Sequence, residues 1–595
     1  MDAELRIETA PFRDPRYAPR RLEVENRADG TIVLTNPTPF SADFATVMEP
    51  IAHWARLAPD RVWLAERPAE GAEGWRTLTY AEALAKIGAI AGGLKALGLT
   101  GPAPLLILAR NGIDHALIKY AAMSQGTPAA PVSPQYGLAG ANLARLTHAV
   151  EVLKPAAVYV EDAELFATGL STPVLEGLPV IAGAKARPNH IPLSRLADAA
   201  PVAPCARPED AAKYLLTSGS TGHPKAVIIS QRNMAYNSAQ IAACFEDDEP
   251  PVIVNSAPWS HSLGANSILH MCATRGGTLY IDAGQPTASR FSETVRNLRE
   301  ISPTYHNMVP AGWMLFVDEL EKDEALARSF FARVRVMQYG GASLGQGIAD
   351  RIEAVAIRTI GEKVSFASGY GATETGPTAC NVHWENDRMG LIGLPVPGTS
   401  VKLVPVAGKL EFRVKGPQVT SGYLGRPELS AQCFDEDGFY VLGDAARFVN
   451  PDRPKQGLVF DGRISENFKL ASGTFVAVGE LRIGAISAIG GAVTDAVVCG
   501  EGQEHLGLLL YPDPRTPRKA VEAAVRKGLA AFNAQAKGSS GRIARAIVLP
   551  DGPDAASGEI TDKGYIAQSL ARTRRADALA RLFADPPPPE VMVFD

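Results

Sequence analysis

Thr217-Ser218-Gly219-Ser220-Thr221-Gly222-His223-Pro224-Lys225 is the stretch on which the reading of this chain turns. An apolar run, Tyr214-Leu215-Leu216, leads in and another, Ala226-Val227-Ile228-Ile229, leads out. Two buried strands are therefore predicted to pin a loop that is itself too small and polar to pack. Its glycines let the backbone approach a ligand closely, and successive N–H groups can form an anion-binding nest. The hydroxyls of Thr217, Ser218, Ser220 and Thr221 can donate to phosphate oxygens, and Lys225 adds a fixed positive charge. Composition alone would make this a Ser/Gly-rich surface turn. The flanking strands and the Pro-Lys ending favour a polyphosphate loop instead. It is not a Walker A loop, because that spacing is absent and Ala226 after Lys225 has no hydroxyl for Mg²⁺. A metal would need an acidic ligand from elsewhere in the chain.

At 595 residues the chain exceeds one core, given roughly 100–200 residues per domain. Lys and Arg total 59 against 64 Asp and Glu, a net charge of -5 with no basic block, so no nucleic-acid partner is expected. Cys205, Cys244, Cys272, Cys380, Cys433 and Cys499 lie far apart with no C-x-x-C, which reads as reduced thiols of a cytoplasmic protein. Asp2, Glu4 and Arg6 stand where a signal peptide needs an apolar core. No uncharged apolar run of about 18 residues follows, so membrane insertion is not expected.

Residues 1–45, rich in Pro and Arg, read as an arm on the body. Val47 to Leu57 and Tyr80 to Leu97 carry helical periodicity, the second with Thr79 as N-cap; Asn111 to Gln125 is also helical. After the loop, strand-like runs at 251–254, 278–281, 304–309, 334–338 and 364–367 alternate with helices, the pattern of largely parallel sheets covered by helices. Ser400 to Phe448 changes to short alternating strands, as in a small β-barrel. After Gly462-Arg463 a fresh α/β unit begins. The expected organisation is α/β: an arm over 1–45, a large domain over 46–462 made of two helix-covered sheets plus the β-barrel, and a small α/β domain over 463–595.

Gly369-Tyr370-Gly371-Ala372-Thr373-Glu374-Thr375-Gly376 follows a predicted strand, where open α/β sheets place ligands. A glycine-rich turn is the plain alternative. Glu374 would supply the carboxylate that the phosphate loop lacks. In Tyr440-Val441-Leu442-Gly443-Asp444, Asp444 is either a solvated turn residue or the acceptor for a vicinal diol, since a carboxylate offers only acceptors. Arg463 and Lys563 read by themselves as surface charges, and His261 as a satisfied core histidine. Gly341-Ala342-Ser343-Leu344-Gly345 fits G-x-S-x-G, which makes a serine hydrolase using Ser343, with His383 or His505 as partner, the runner-up class. That class leaves the phosphate loop, Glu374 and Asp444 unexplained.

Taken in order along the chain, these motifs resemble the adenylate-forming superfamily of acyl-CoA synthetases, luciferases and the adenylation domains of peptide synthetases. The resemblance implies that the loop residues Thr217, Ser218, Gly219, Ser220, Thr221, Gly222 and Lys225 hold ATP phosphates. It makes Gly340, Gly341 and Ala342 the adenine slot, with Tyr370 near adenine, Gly371 beside it and Thr373 on phosphate. Glu374, with Thr221, would hold Mg²⁺, Asp444 would accept from the ribose, and Arg463 would be a second nucleotide contact at the start of a hinge. Lys563, in Glu559-Ile560-Thr561-Asp562-Lys563-Gly564, stands where the superfamily keeps the lysine that reaches the α-phosphate and carboxylate. His261 would lie between the acyl pocket and the thiol channel, and the pocket would include Leu263, Met308, Val309, Ala311 and Gly312. Residues 462–476, including Lys469, and 559–566 look most like feruloyl-CoA synthetases. The implied activity is an ATP-, Mg²⁺- and coenzyme A-dependent ligation of a ferulate- or p-coumarate-type acid through an acyl-adenylate, with another aromatic or a medium-chain acid as the alternative. The small domain would be mobile, pivoting at Ser465-Glu466, and the protein a monomer or homodimer.

Overall fold

The computed structural model describes residues 9–594 apart from 41, 70, 219–223, 288, 341–343, 407, 465–467, 477, 537, 555–558 and 560–565. A seven-stranded sheet carries, at one edge, the hairpin predicted around residues 217–225. Its order is Pro224–Ser230, Ala211–Ser218, Ala129–Pro131, Leu105–Leu108, Ala157–Asp162, Val180–Ala184 and Ile191–Pro192. The two hairpin strands are antiparallel, with Thr217 opposite Lys225 and Ser218 opposite Pro224. The strand 211–218 pairs in parallel with Ala129–Pro131. A four-stranded sheet, Val252–Asn255, Thr278–Ile281, Val62–Glu66 and Arg76–Thr79, shares with it a core of residues such as Trp63, Ile107, Tyr120, Leu215 and Leu269.

Helices Tyr80–Ala96 and Ile113–Ser124 build much of that shared core. The first starts where a capping box forces it to: Thr79 accepts from the Glu82 amide while Glu82 reaches back to the Thr79 amide, satisfying two donors that a helix start leaves bare. An eleven-stranded order runs from Glu23–Asn26 through Ile32–Thr35 into the antiparallel strands between Leu391 and Arg463. It then continues through Cys380–Asn381 and Ser365–Tyr370 to Val336–Tyr339 and Tyr305–Met308, the last three strands pairing in parallel. The region expected as a small β-barrel is thus built as the antiparallel end of this long order, continuous with a helix-covered parallel end. Arm residues add strands to it, Thr35 pairing with Ser400. Arg13 ties the arm to the Phe331 and Val334 carbonyls at 2.6 and 3.1 Å.

From Phe468 on, a four-stranded sheet (Val493–Cys499, Leu506–Pro512, Ile543–Val548, Met592–Val593) has its own core. Helices Val478–Ile489 and Arg518–Asn533 cover one face, and residues 566–591 cover the other. Among the described residues no helix is long and apolar enough to cross a membrane.

Candidate active site

Lys225 is carried to the site by its strand. That strand takes on a short extra partner, with Val227 bridging Tyr423, Ile228 N–H donating to the Gly422 carbonyl at 3.0 Å and Leu424 N–H to Ala226 at 2.9 Å. The pairing lays the Tyr423 ring against the lysine, whose Nζ stands 5.2 Å from the ring centroid. The Tyr423 hydroxyl donates to Glu374 Oε1 at 2.9 Å and accepts from the Tyr440 hydroxyl at 2.7 Å. Burial, and next to it the Glu374 charge, hold both phenols protonated far above their ordinary range. They act as fixed donors. Glu374 itself sits on the one-turn segment Thr373–Thr375 that follows the strand Ser365–Tyr370, and Thr420 N–H donates to its carbonyl at 2.8 Å.

A second cluster forms at the same end of the sheet. Tyr370 donates to Asp444 Oδ2 at 2.6 Å, and Arg463 Nε lies 3.3 Å from Asp444 Oδ1 across a paired register position. Ring contact with Phe412 at 5.0 Å holds Tyr370 edge-on. Asp444 Oδ2 therefore already accepts from Tyr370 while Oδ1 has the Arg463 charge beside it, and a diol would share the remaining lone pairs. Gly371 has a packing reason to be glycine: a Cβ there would run into the Pro377 carbonyl. Thr373 Oγ1 is 3.3 Å from Ser262 Oγ, which joins this motif to the segment bearing His261.

Leu263 opens a π-helix, Leu263–His270. The half-buried His261 precedes it, and the δ-carbons of Leu263 stand 3.7 and 3.9 Å from where Gly340 would carry a Cβ. Met308 ends its strand, Val309 is the N-cap of helix Pro310–Lys322, and Gly312 in its first turn leaves room for the Met308 sulfur, 3.2 Å from its would-be Cβ. Ala311 is exposed. Lys469 is exposed on the short strand Phe468–Lys469, its carbonyl accepting from Gly502 N–H at 2.9 Å.

The side chain of Ser218, the residues Gly219, Ser220, Thr221 and Gly222, the expected adenine-slot residues Gly341 and Ala342, Ser343, Ser465, Glu466 and Lys563 lie outside the described residues. Around the last, Glu559 is buried. Arg575 grips it with two bonds of 2.7 and 2.8 Å, and its backbone carbonyl accepts from Ala567 N–H at 2.9 Å.

A profile of AMP-binding enzymes matches residues 51–424, and one of the AMP-binding enzyme C-terminal domain matches 484–586. The chain belongs to the AMP-binding enzyme family. Within the adenylate-forming superfamily it is similar to a carboxylic acid reductase of Segniliparus rugosus, 27% identical over 407 residues, 62% of this chain but 32% of the relative. A 4-coumarate–CoA ligase of Pinus taeda is 26% identical over 455 residues, 73% of this chain and 79% of that enzyme. A feruloyl-CoA synthase of Amycolatopsis is 25% identical over 388 residues, covering 63% and 72%. The chain thus spans about a third of the length of the reductase. Among solved structures, the adenylation domain of a Mycobacterium chelonae carboxylate reductase superposes with a TM-score of 0.72 at 23% identity over 91% of each chain.

Mg²⁺ keeps several waters and takes one or two protein carboxylates plus substrate phosphates. The donor set fits that habit: Glu374 Oε1 is fixed by Tyr423, and among the described residues Oε2 takes no hydrogen bond. Tyr423 and Tyr440 were not singled out from sequence. Tyr440 opens the Asp444 motif, and Gly422-Tyr423-Leu424 stands next to the antiparallel strands, but nothing in either string says that they meet at Glu374.

Proposed function

We propose that this chain is an ATP-dependent acid–CoA ligase. It would make a thioester from an aromatic carboxylate of the ferulate or p-coumarate type through an acyl-adenylate, releasing AMP and pyrophosphate. The observation that carries this reading is the convergence of Lys225, Glu374 and Asp444 at one end of the sheets, Lys225 facing the Tyr423 ring, Glu374 accepting from Tyr423 and Asp444 accepting from the half-buried Tyr370. That arrangement offers a cation, a metal-binding carboxylate and a diol acceptor in the order a nucleotide triphosphate needs. Similarity to 4-coumarate–CoA ligase and feruloyl-CoA synthase supports the acid class.

The chemistry follows from charge. A cinnamate-type carboxylate is ionised at pH 7, with carboxyl pKa values near ~4, so it needs no general base. Its oxygen attacks the α-phosphorus, the bond to pyrophosphate breaks, and Lys563, Lys225 and the hydroxyls and amides of the loop 217–222 neutralise the charge that builds up. Glu374 and the Thr221 hydroxyl would hold Mg²⁺, which when bound would add to the neutralisation of the phosphates. Asp444 and Arg463 hold the nucleoside, Tyr370 and Gly371 flank its base, and Gly340, Gly341 and Ala342 admit the flat ring. The CoA sulfur then attacks the mixed anhydride carbonyl, and AMP leaves. His261 lines the junction with the acyl pocket of Leu263, Met308, Val309, Ala311 and Gly312. In this reading residues 46–462 bind both substrates beneath the arm 1–45, and 463–595 pivots at 465–466 between the two steps. Six free cysteines suit a cytoplasmic setting.

The test is pyrophosphate release and thioester formation with ATP, Mg²⁺, CoA and a panel of ferulate, p-coumarate, benzoate and octanoate. Turnover on ferulate or p-coumarate with little on octanoate supports the reading. Turnover on aliphatic acids alone keeps the mechanism and discards the substrate. A second reading, in which the activated acid feeds a reduction, is favoured by the similarity to carboxylic acid reductases. Acyl-adenylate formation with no CoA-dependent product would select it.

A further inference from the structure

The interior between helix Ile113–Ser124, strand Ala211–Ser218 and the π-helix holds a cluster that the nucleotide chemistry does not use. Lys119 and Lys213 are both 0% exposed, and His115, Asn266, Ser267 and His270 are buried with them. Lys213 Nζ donates to Asn266 Oδ1, whose amide in turn donates to the Gly376 carbonyl at 2.6 Å. Lys119 Nζ stands 5.2 Å from the Trp259 ring centroid and 5.9 Å from that of Tyr120, with no hydrogen-bond partner among the described residues. His115 donates through Nδ1 to the Arg110 carbonyl at 2.9 Å, and Nδ1 of His270 is 3.1 Å from the Tyr120 hydroxyl. Nε2 of both rings, Ser260 Oγ and Ser267 Oγ are buried and unpartnered.

Six polar groups on three elements thus share one interior region, and no carboxylate among the described residues pairs with either amine. A buried cation without a counter-charge is expensive, and a buried neutral amine without a partner is an unmet donor, so either state of Lys119 calls for an acceptor. Desolvation and mutual repulsion hold Lys213 well below its ordinary range, and desolvation brings Lys119 down to about 7. An anion between them would reverse both effects.

We propose that this basic cluster is a buried anion-binding site, taking a monoanion between the amines of Lys119 and Lys213 with the Ser267 hydroxyl as a further donor. The anion has two possible sources. One is a free halide-sized ion. The other is an anionic group at the far end of the acid, because Asn266, Ser267 and His270 lie on the same π-helix as Leu263 of the proposed acyl pocket; this second source rests on the acid-ligase reading.

Two arms on the full chain distinguish them. In the first, crystals grown in sodium bromide are measured at the bromine edge, and unfolding midpoints are compared in sodium bromide and sodium gluconate at equal ionic strength. A bromide peak within hydrogen-bond distance of Lys119 or Lys213, with a saturable midpoint rise of about 3 °C that Lys119→Met removes, establishes the free ion. In the second, terephthalate is compared with benzoate. A preference for terephthalate of about 10-fold in kcat/KM that Lys119→Met abolishes establishes the substrate's end as the occupant. A peak with no saturable stabilisation is an adventitious ion only, and with no terephthalate preference it overturns the proposal, as does the absence of both signals. If no acid is turned over, the acid-ligase reading fails while the bromide arm still decides. Should Lys119→Met not fold, the wild-type crystals answer alone.

Discussion

Tyr423 is the residue that turns two distant motifs into one site. Its ring faces Lys225 and its hydroxyl fixes Glu374, so removing the hydroxyl frees the carboxylate without changing its charge. A hydrogen bond to a charged group contributes about 1.5–3 kcal/mol. Tyr423→Phe is therefore expected to slow pyrophosphate exchange about 10- to 100-fold and to raise the Mg²⁺ concentration needed for half-maximal rate. Unchanged Mg²⁺ dependence would remove Tyr423 from the metal-positioning role. Tyr370→Phe should act on the other cluster, raising KM for ATP while leaving the Mg²⁺ requirement alone, because its hydroxyl serves Asp444 rather than Glu374. Kinetics at varied ATP and Mg²⁺ separate the two.

Among the elements, Glu559, four residues before Lys563 in the chain, is anchored by an ion pair. Glu559 is 1% exposed and accepts from Arg575 through both oxygens, with the Asp554 amide as a third donor. Breaking one partner of a buried pair leaves a desolvated charge and costs about 3–5 kcal/mol. Glu559→Gln keeps the shape and loses the charge. It should lower the unfolding midpoint of the C-terminal unit and slow adenylation more than the thioester-forming step, measured from isolated acyl-adenylate. Equal loss in both steps would make the pair a general stabiliser only. The hinge proposal makes the opposite split: Ser465→Pro, by fixing φ, should spare pyrophosphate exchange and depress thioester formation.

For the whole molecule, buried neutral histidines set the acid limit. Desolvation pushes His115, His270 and His306 each down to about 3. Unfolding returns them to about 6.5, so between those values the unfolded chain binds more protons and stability rises with pH. Lys119, brought to about 7 by burial, extends that rise toward its unfolded value of about 10.4. His306 lies in a cage of Trp313, Phe316 and Phe330 with both ring nitrogens unpartnered, which makes it the cleanest probe. His306→Phe should reduce proton uptake on unfolding at pH 5 by about one proton, read by calorimetry in buffers of different ionisation enthalpy. An unchanged uptake would mean that His306 is protonated in the fold.

Much of this protein was legible in its residues because the information was local. Apolar runs on either side of a Ser/Gly stretch specify a hairpin, and Thr79 followed by Glu82 specifies a helix start. The alternation after residue 251 specifies strands and helices close to those found, and the ordered motifs specify the family. What the chain string could not supply was which distant side chains meet. Val227 pairing with Tyr423 brings together residues 196 positions apart, and only that backbone pairing gives Glu374 its donor. The continuity of the antiparallel strands with the parallel ones, the Glu559–Arg575 clamp, and the gathering of Lys119 and Lys213 in one interior were likewise decided by tertiary structure. A lysine in a string reads as a surface charge, since nearly all are. Its burial depends on what packs over it, and that is a property of the assembled layers alone.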